Sequence, residues 1–231
     1  MGWFFIPQIL FLLILSILIL YYGHWDSFLL LNKYHFPLID EAVYHFSVIS
    51  NELILLSIFV LIFARKAPAK TILGVILVFI AWYTCITFKY NFFQEWKSPF
   101  QLLHAKGAYV VTSKLQPKLN FPSEHAVVIG ALFTFIAWLF YHSKSILLWL
   151  SYMAIILCYT RIYIGWSFLE DVVCGSMLGI VLTMLCIPWL EFKIEKWYDT
   201  RSDLWRDVLI AILRTAAIST LFVKLPGLLA N

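Results

Sequence analysis

The chain has 231 residues, of which 62% are hydrophobic, 18% aromatic and only 13% charged, with a net charge of +4. A soluble domain carries roughly 25% charged residues, so this composition excludes an ordinary soluble globule and belongs to an integral membrane protein. The lysines are scattered over loops between apolar segments, which excludes a nucleic-acid-binding face.

A membrane-crossing helix takes about 20 predominantly apolar residues. The first such run, 3–22, lacks a basic leader and a small-residue cleavage site, and it is longer than the core of a signal peptide. It is expected to be a retained first transmembrane helix. Further spans are expected over 44–64, 70–88, 123–141, 145–163 and 172–190. Trp, Tyr and His gather at several ends (Tyr21, Tyr22, Trp25; Tyr141, His142), as an interfacial belt requires. The segment 191–207 mixes both charge signs and reads as a surface helix. In 208–225 Arg214 sits near the middle, which disfavours a simple span and points to an amphipathic interfacial helix, with a seventh span as the alternative. The expected fold is therefore all-α: an integral membrane bundle of about six transmembrane helices plus a C-terminal amphipathic or seventh helix. Residues 1–190 form the transmembrane domain and 191–231 the C-terminal appendage.

The four cysteines (Cys85, Cys158, Cys174, Cys186) lie singly in or beside apolar runs and read as small buried hydrophobes. No His, Cys or carboxylate cluster has ligand spacing, so neither a metal nor an organic cofactor is expected.

Arg65, Lys66 and Lys70 in one short loop and Lys144 in another share a face with 191–207, and the positive-inside rule puts that face in the cytoplasm. The opposite face then receives 23–43, 89–122 and 160–171. The rule strains there, because 89–122 carries Lys89, Lys97, Lys106, Lys114 and Lys118 against the single acid Glu95. A basic loop on the outer face makes sense if it binds something anionic.

Three polar islands converge on that face: KYNFFQEWKSP (89–99), NFPSEH (120–125) and TRIYIGWSFLED (160–171). Each suits phosphate chemistry. Lys89 and Lys97 offer ammonium donors, and Arg161 offers a planar fork able to grip two phosphoryl oxygens. Ser123, after Pro122, sits where a helix N-terminus presents free N–H groups to an anion. His125 is one step inside that helix, placed to give a proton to a leaving alkoxide. Asp171 can orient a neighbouring base. Taken singly, each has a bland account: a snorkelling Lys or Arg, a core His, an ordinary Pro-Ser helix start. It is their order on one face that argues for a site.

The ordered motifs resemble those of the phosphatidic acid phosphatase type 2 family of membrane lipid phosphatases, K-x6-R-P, P-S-G-H and S-R-x5-H-x3-D. The second reads Pro122-Ser123-Glu124-His125 and the third Thr160-Arg161, then Ser167, then Asp171; the first is looser, Lys89 followed by Lys97-Ser98-Pro99. Within the family the chain looks most like the branch of the lipid A 1-diphosphate synthases, transferases that take phosphate from undecaprenyl diphosphate, which share an acid in the second motif and the step Gly175-Ser176-Met177. The resemblance implies that Lys89, Lys97, Ser123 and Arg161 hold the phosphate, that His125 protonates the leaving group, and that Asp171 assists a histidine nucleophile. It implies a lipid phosphate or diphosphate as partner, no cofactor, and a bacterial inner membrane with the site facing the periplasm.

The departures from the pattern matter unequally. Thr160 keeps the hydroxyl, and Lys97 keeps charge but loses the fork. Glu124 puts a carboxylate beside an anion site, where it repels phosphate, is held neutral or pairs with a lysine. Ser167 occupies the nucleophile position, and a serine hydroxyl is a poor nucleophile without an activating base. His104 is the one other histidine on the right face that offers a stand-in. Three accounts stay open: an enzyme in which water or an acceptor attacks directly with Asp171 or Glu170 as base, a relative that binds lipid phosphate without turnover, and an anionic-lipid transporter.

Overall fold

The computed structural model describes residues 1–99, 109–111 and 119–229. Eight helices carry these residues: α1 (Gly2–Leu31), α2 (Pro37–Ile49), α3 (Glu52–Phe63), α4 (Pro68–Phe92), α5 (Glu124–Leu139), α6 (Lys144–Tyr163), α7 (Leu169–Asp199) and α8 (Asp203–Leu229). Among the described residues there is no sheet, only an isolated backbone bridge between Lys97 and Leu119. The protein is an all-helical membrane bundle. Helices α1, α4, α6 and α7 are long and apolar enough to cross a membrane, and the bent pair α2–α3 makes a fifth crossing if it is one span.

Two expected spans are corrected. The run 44–64 is not one helix, because α2 and α3 meet at a 60° bend at Ser50 and Asn51. The cause is local: Asn51 adopts a non-helical conformation and its side chain accepts the Leu53 N–H, which starts a new helix. The run 123–141 forms α5, which at 16 residues measures about 24 Å, short of a full bilayer core. It is sheathed by protein instead, with the stretch from His125 to Phe135 buried throughout.

Helix α5 is the axis of the bundle, packed against α4, α6 and above all α7. The α5–α7 seam is closed by glycines. A Cβ on Gly175 would lie 2.7 Å from the Ser123 carbonyl oxygen, and one on Gly179 would fall on the Val127 carbonyl. From the other side, a Cβ on Gly130 would lie 2.7 Å from the Ser176 carbonyl oxygen. Small residues let helix backbones meet where lipid gives no hydrophobic push between them. Oily side chains fill the rest of the core, with Phe59 and Phe135 edge to face at 6.0 Å.

Gly179→Val forces the α5–α7 seam apart, and overpacking of this kind costs about 1–3 kcal/mol. The expected result is a clear fall in the thermal unfolding midpoint in detergent, whereas Leu185→Val, on the exposed face of α7, leaves the midpoint within error.

Candidate active site

The end of the bundle where α4 and α6 finish and α3, α5 and α7 begin encloses a cavity of about 280 Å³. Its walls include Ser47, Asn51, Glu52, Lys89, Asn120, Ser123, Glu124, His125, Arg161, Trp166, Ser167 and Lys224. Five of the seven residues singled out from sequence therefore share one wall system: Lys89, Ser123, His125, Arg161 and Ser167. Two do not line it. Lys97 is exposed and engaged through its backbone with Leu119. Asp171 is fully buried behind the wall.

Local chemistry explains each placement. Ser123 is the N-cap of α5: its Oγ accepts the Ala126 N–H at 3.5 Å, and its own N–H donates to the Asp171 carbonyl at 3.1 Å, tying the second island to the third. Arg161 lies in the last turn of α6, which Gly165 ends with φ +79°, a conformation natural to glycine. The N–H groups of Trp166 and Ser167 both return to the Arg161 carbonyl, at 3.0 and 3.1 Å. That turn swings Ser167 back beside the arginine. Gly165 is required on a second count, since a Cβ would meet the Tyr109 carbonyl oxygen at 2.6 Å.

Arg161 Nη2 donates to His125 Nδ1 at 2.6 Å, and Glu52 Oε1 lies 3.1 Å from the same nitrogen and 3.9 Å from Nη2. Nδ1 accepts from Arg161 when the ring proton is on Nε2; with the proton on Nδ1 the ring donates to Glu52 instead. The Arg161 guanidinium also stacks 4.9 Å over the Trp166 ring. His125 Nε2 and Arg161 Nε are buried without a hydrogen-bond partner among the described residues. The other ring nitrogen, Nδ1, is held between Arg161 and Glu52.

Glu124 takes the last of the three courses open to it, pairing with a lysine. Its Oε1 accepts from Lys89 Nζ at 2.6 Å and its Oε2 from Trp82 Nε1 at 3.2 Å. Each buried cation of the cavity is thus matched by a carboxylate, Lys89 by Glu124 and Arg161 by Glu52.

In the wall itself, Asn120 joins Ser167 to Asp171 behind it. Its Nδ2 lies 2.8 Å from Ser167 Oγ, 2.8 Å from Asp171 Oδ2 and 2.6 Å from the Trp166 carbonyl, three acceptors for two hydrogens. Asp171 also accepts from Trp96 Nε1 at 3.0 Å and from the Phe168 N–H at 2.8 Å. Its carboxylate is fully engaged, and Asn120 stands between it and the serine. Glu170 Oε1 pairs with His24 Nδ1 at 3.0 Å, outside the cavity. The carboxylates in the cavity are accordingly Glu52 and Glu124, not the Asp171 and Glu170 considered as bases from sequence. None of His24, His35, His45 and His142 lines the cavity; His104 falls outside the described residues.

Glu52 and Asn120 are the residues that sequence reasoning missed. A signal existed for Glu52, an acid inside an apolar run, which is costly in a span without a partner. Asn120 opens the second island and carried no motif of its own.

A family model described as the PAP2 superfamily matches residues 69–195, more than half of the sequence. The chain belongs to the PAP2 superfamily. The matched segment runs from the start of α4 almost to the end of α7, so it contains the three islands, whereas Glu52 and Lys224 lie outside it. Among solved structures, a crystal structure of Aquifex aeolicus LpxE is similar with a TM-score of 0.56 and 24% sequence identity, covering 71% of this chain and 94% of that one. At that identity the likeness is one of fold. No curated protein matches the sequence. Family and architecture together are those of a membrane lipid phosphatase.

Asn120→Ala strands the buried Ser167 Oγ and removes one of the two donors to Asp171 Oδ2, and an unpaired buried acceptor costs about 1–3 kcal/mol. Thermal unfolding of this PAP2 protein is expected at a lower temperature in the Asn120→Ala variant than in wild type, with Asn120→Asp no rescue because it sets two carboxylates side by side.

Proposed function

We propose that the protein removes or transfers the terminal phosphate of a lipid phosphate or diphosphate, such as undecaprenyl diphosphate, at the outer face of a bacterial inner membrane. The observation that carries this reading is the meeting of Lys89, Ser123, His125 and Arg161 in one cavity at the head of the bundle. The outer-face assignment rests on Arg65, Lys66, Lys144 and Arg201, which lie at the other end, by the α3–α4, α5–α6 and α7–α8 junctions.

Lys89, Arg161 and the Ser123 helix terminus receive the phosphoryl oxygens, displacing Glu124 and Glu52 from their cations. No imidazole occupies the nucleophile position, so water or an acceptor hydroxyl attacks phosphorus directly. Phosphoryl transfer passes through a loose transition state in which positioning and charge stabilisation do most of the work, so a strong nucleophile is not indispensable. The new P–O bond forms from the attacking oxygen and the P–O bond to the lipid, or to its remaining phosphate, breaks. The Nε2 proton of His125 goes to the departing oxygen, and the proton of the attacking group ends on the released phosphate. The ring acts in its protonated form: with Arg161 turned to the phosphate, Nδ1–H donates to Glu52, and giving up the Nε2 proton leaves neutral imidazole.

A second reading has its own support. Both buried cations already hold carboxylates, and Ser167 Oγ accepts from Asn120 with no base in contact. Those features favour a relative that binds a lipid phosphate without turning it over.

Phosphate release from undecaprenyl diphosphate and phosphatidic acid by purified protein separates the two. Under the enzyme reading, His125→Ala loses about 100-fold or more in kcat, and Ser167→Ala keeps turnover within tenfold. A phosphoserine trapped at Ser167 would sink direct attack. An inert wild type that binds the lipid and gains activity in Ser167→His supports the binding reading. A wild type that does neither removes the phosphate assignment altogether.

Glu52→Gln is expected to keep substrate affinity while lowering kcat severalfold, because the protonated ring loses the carboxylate that accepts from Nδ1 while Arg161 gains freedom. An unchanged kcat would show that Glu52 only balances charge.

A further inference from the structure

Lys224 belongs to the C-terminal helix, outside the family-matched segment, yet it lines the cavity with Ser123, His125 and Arg161. Helix α7 leaves the cavity at Leu169 and ends at Asp199, and α8 begins at Asp203 beside that far end. Since Lys224 is back at the cavity, α8 retraces the length of the bundle, packed along α3. The distance fits a crossing: from Leu204 to Lys224 the helix rises about 30 Å, the thickness of a bilayer core.

The surface of α8 fits it as well. Leu204, Trp205, Val208, Ile212, Ile218 and Phe222 are exposed along its whole course, a mostly apolar face interrupted only by the uncharged Thr215 and Ser219, of the kind lipid accepts. A helix lying in the interface would keep one polar face along its length. Arg214, the obstacle in sequence, is half-buried with its Nε shielded from solvent, so its root faces protein rather than lipid.

We infer that α8 is a transmembrane helix that delivers Lys224 to the mouth of the cavity as an anion-binding, specificity-determining residue for a lipid diphosphate. This rests on the phosphate reading above. Its charge logic is simple. Lys89 and Arg161 each have a carboxylate partner, whereas Lys224 forms no ion pair among the described residues. It is the cation whose engagement displaces no acid. A diphosphate brings more negative charge than a monophosphate and gains more from it.

Two measurements test the inference in the full-length protein. First, single cysteines at Lys224, Gln94 and Thr200 are probed with a membrane-impermeant maleimide in sealed vesicles of each orientation. A crossing helix makes Lys224→Cys react from the side of Gln94→Cys. Reaction from the side of Thr200→Cys overturns the crossing, and with it the role of Lys224. Second, undecaprenyl diphosphate and undecaprenyl phosphate in detergent micelles are compared as ligands by KM where there is turnover and by Kd where there is none. Lys224→Gln is expected to weaken the diphosphate about fivefold and the monophosphate less than twofold, with kcat kept and Lys224→Arg restoring affinity. Equal affinities in Lys224→Gln and wild type overturn the ligand role. If wild type neither binds nor turns over either lipid, the phosphate reading falls and takes the ligand role with it, while the labelling result still decides the crossing.

Discussion

Everything at the head of this bundle depends on how closely α5 approaches α7. Where Gly175 meets the Ser123 carbonyl, the two backbones touch with no side chain between them, and the Ser123 N–H reaches across to the Asp171 carbonyl. One helix carries Ser123 and His125, and the other is entered through Ser167 and Asp171. A separation larger by even one methyl group would pull the second and third islands apart. The glycines are therefore part of the site, although none of them touches a ligand.

Much of this was legible in the sequence, for a reason that differs element by element. Four crossings announced themselves because a bilayer demands long apolar runs, and the islands stood out because charge near hydrocarbon is costly. The bend between α2 and α3 was hidden, since one Asn cap weighs little against an apolar run on either side. Glu52 went unread for the same cause: its partners, His125 and Arg161, lie 73 and 109 positions away in sequence, and only the fold brings them together. Lys97 shows the opposite failure, a charge that fits a motif loosely and lies exposed outside the cavity. The role of Asn120 was beyond sequence patterns altogether, because it consists of bridging two motif residues rather than belonging to one.

The cavity is a balanced site rather than a strongly cationic one. A buried cation left unpaired is costly, and the two deepest here each hold a carboxylate. An incoming phosphate thus exchanges one anion for another instead of filling an empty positive hole. Such exchange costs little desolvation of the cations, and it ties affinity to how readily Glu52 and Glu124 find other partners. For Glu52 that partner is His125, which makes binding of the anion and the state of the imidazole parts of one event.

The break at Asn51 has a further effect, on the backbone field. Three helices, α3, α5 and α7, begin around the cavity, and each N-terminus acts as roughly half a positive charge. Two that finish there, α4 and α6, point carbonyls the other way, and it is their last turns that carry Lys89 and Arg161. These five ends therefore contribute positive charge, through amides at α3, α5 and α7 and through a cation in the last turn at α4 and α6. Had α2 and α3 run on as one rod, Glu52 would sit in mid-helix, and its carboxylate would face Arg161 with no amide terminus beneath it to offset the charge.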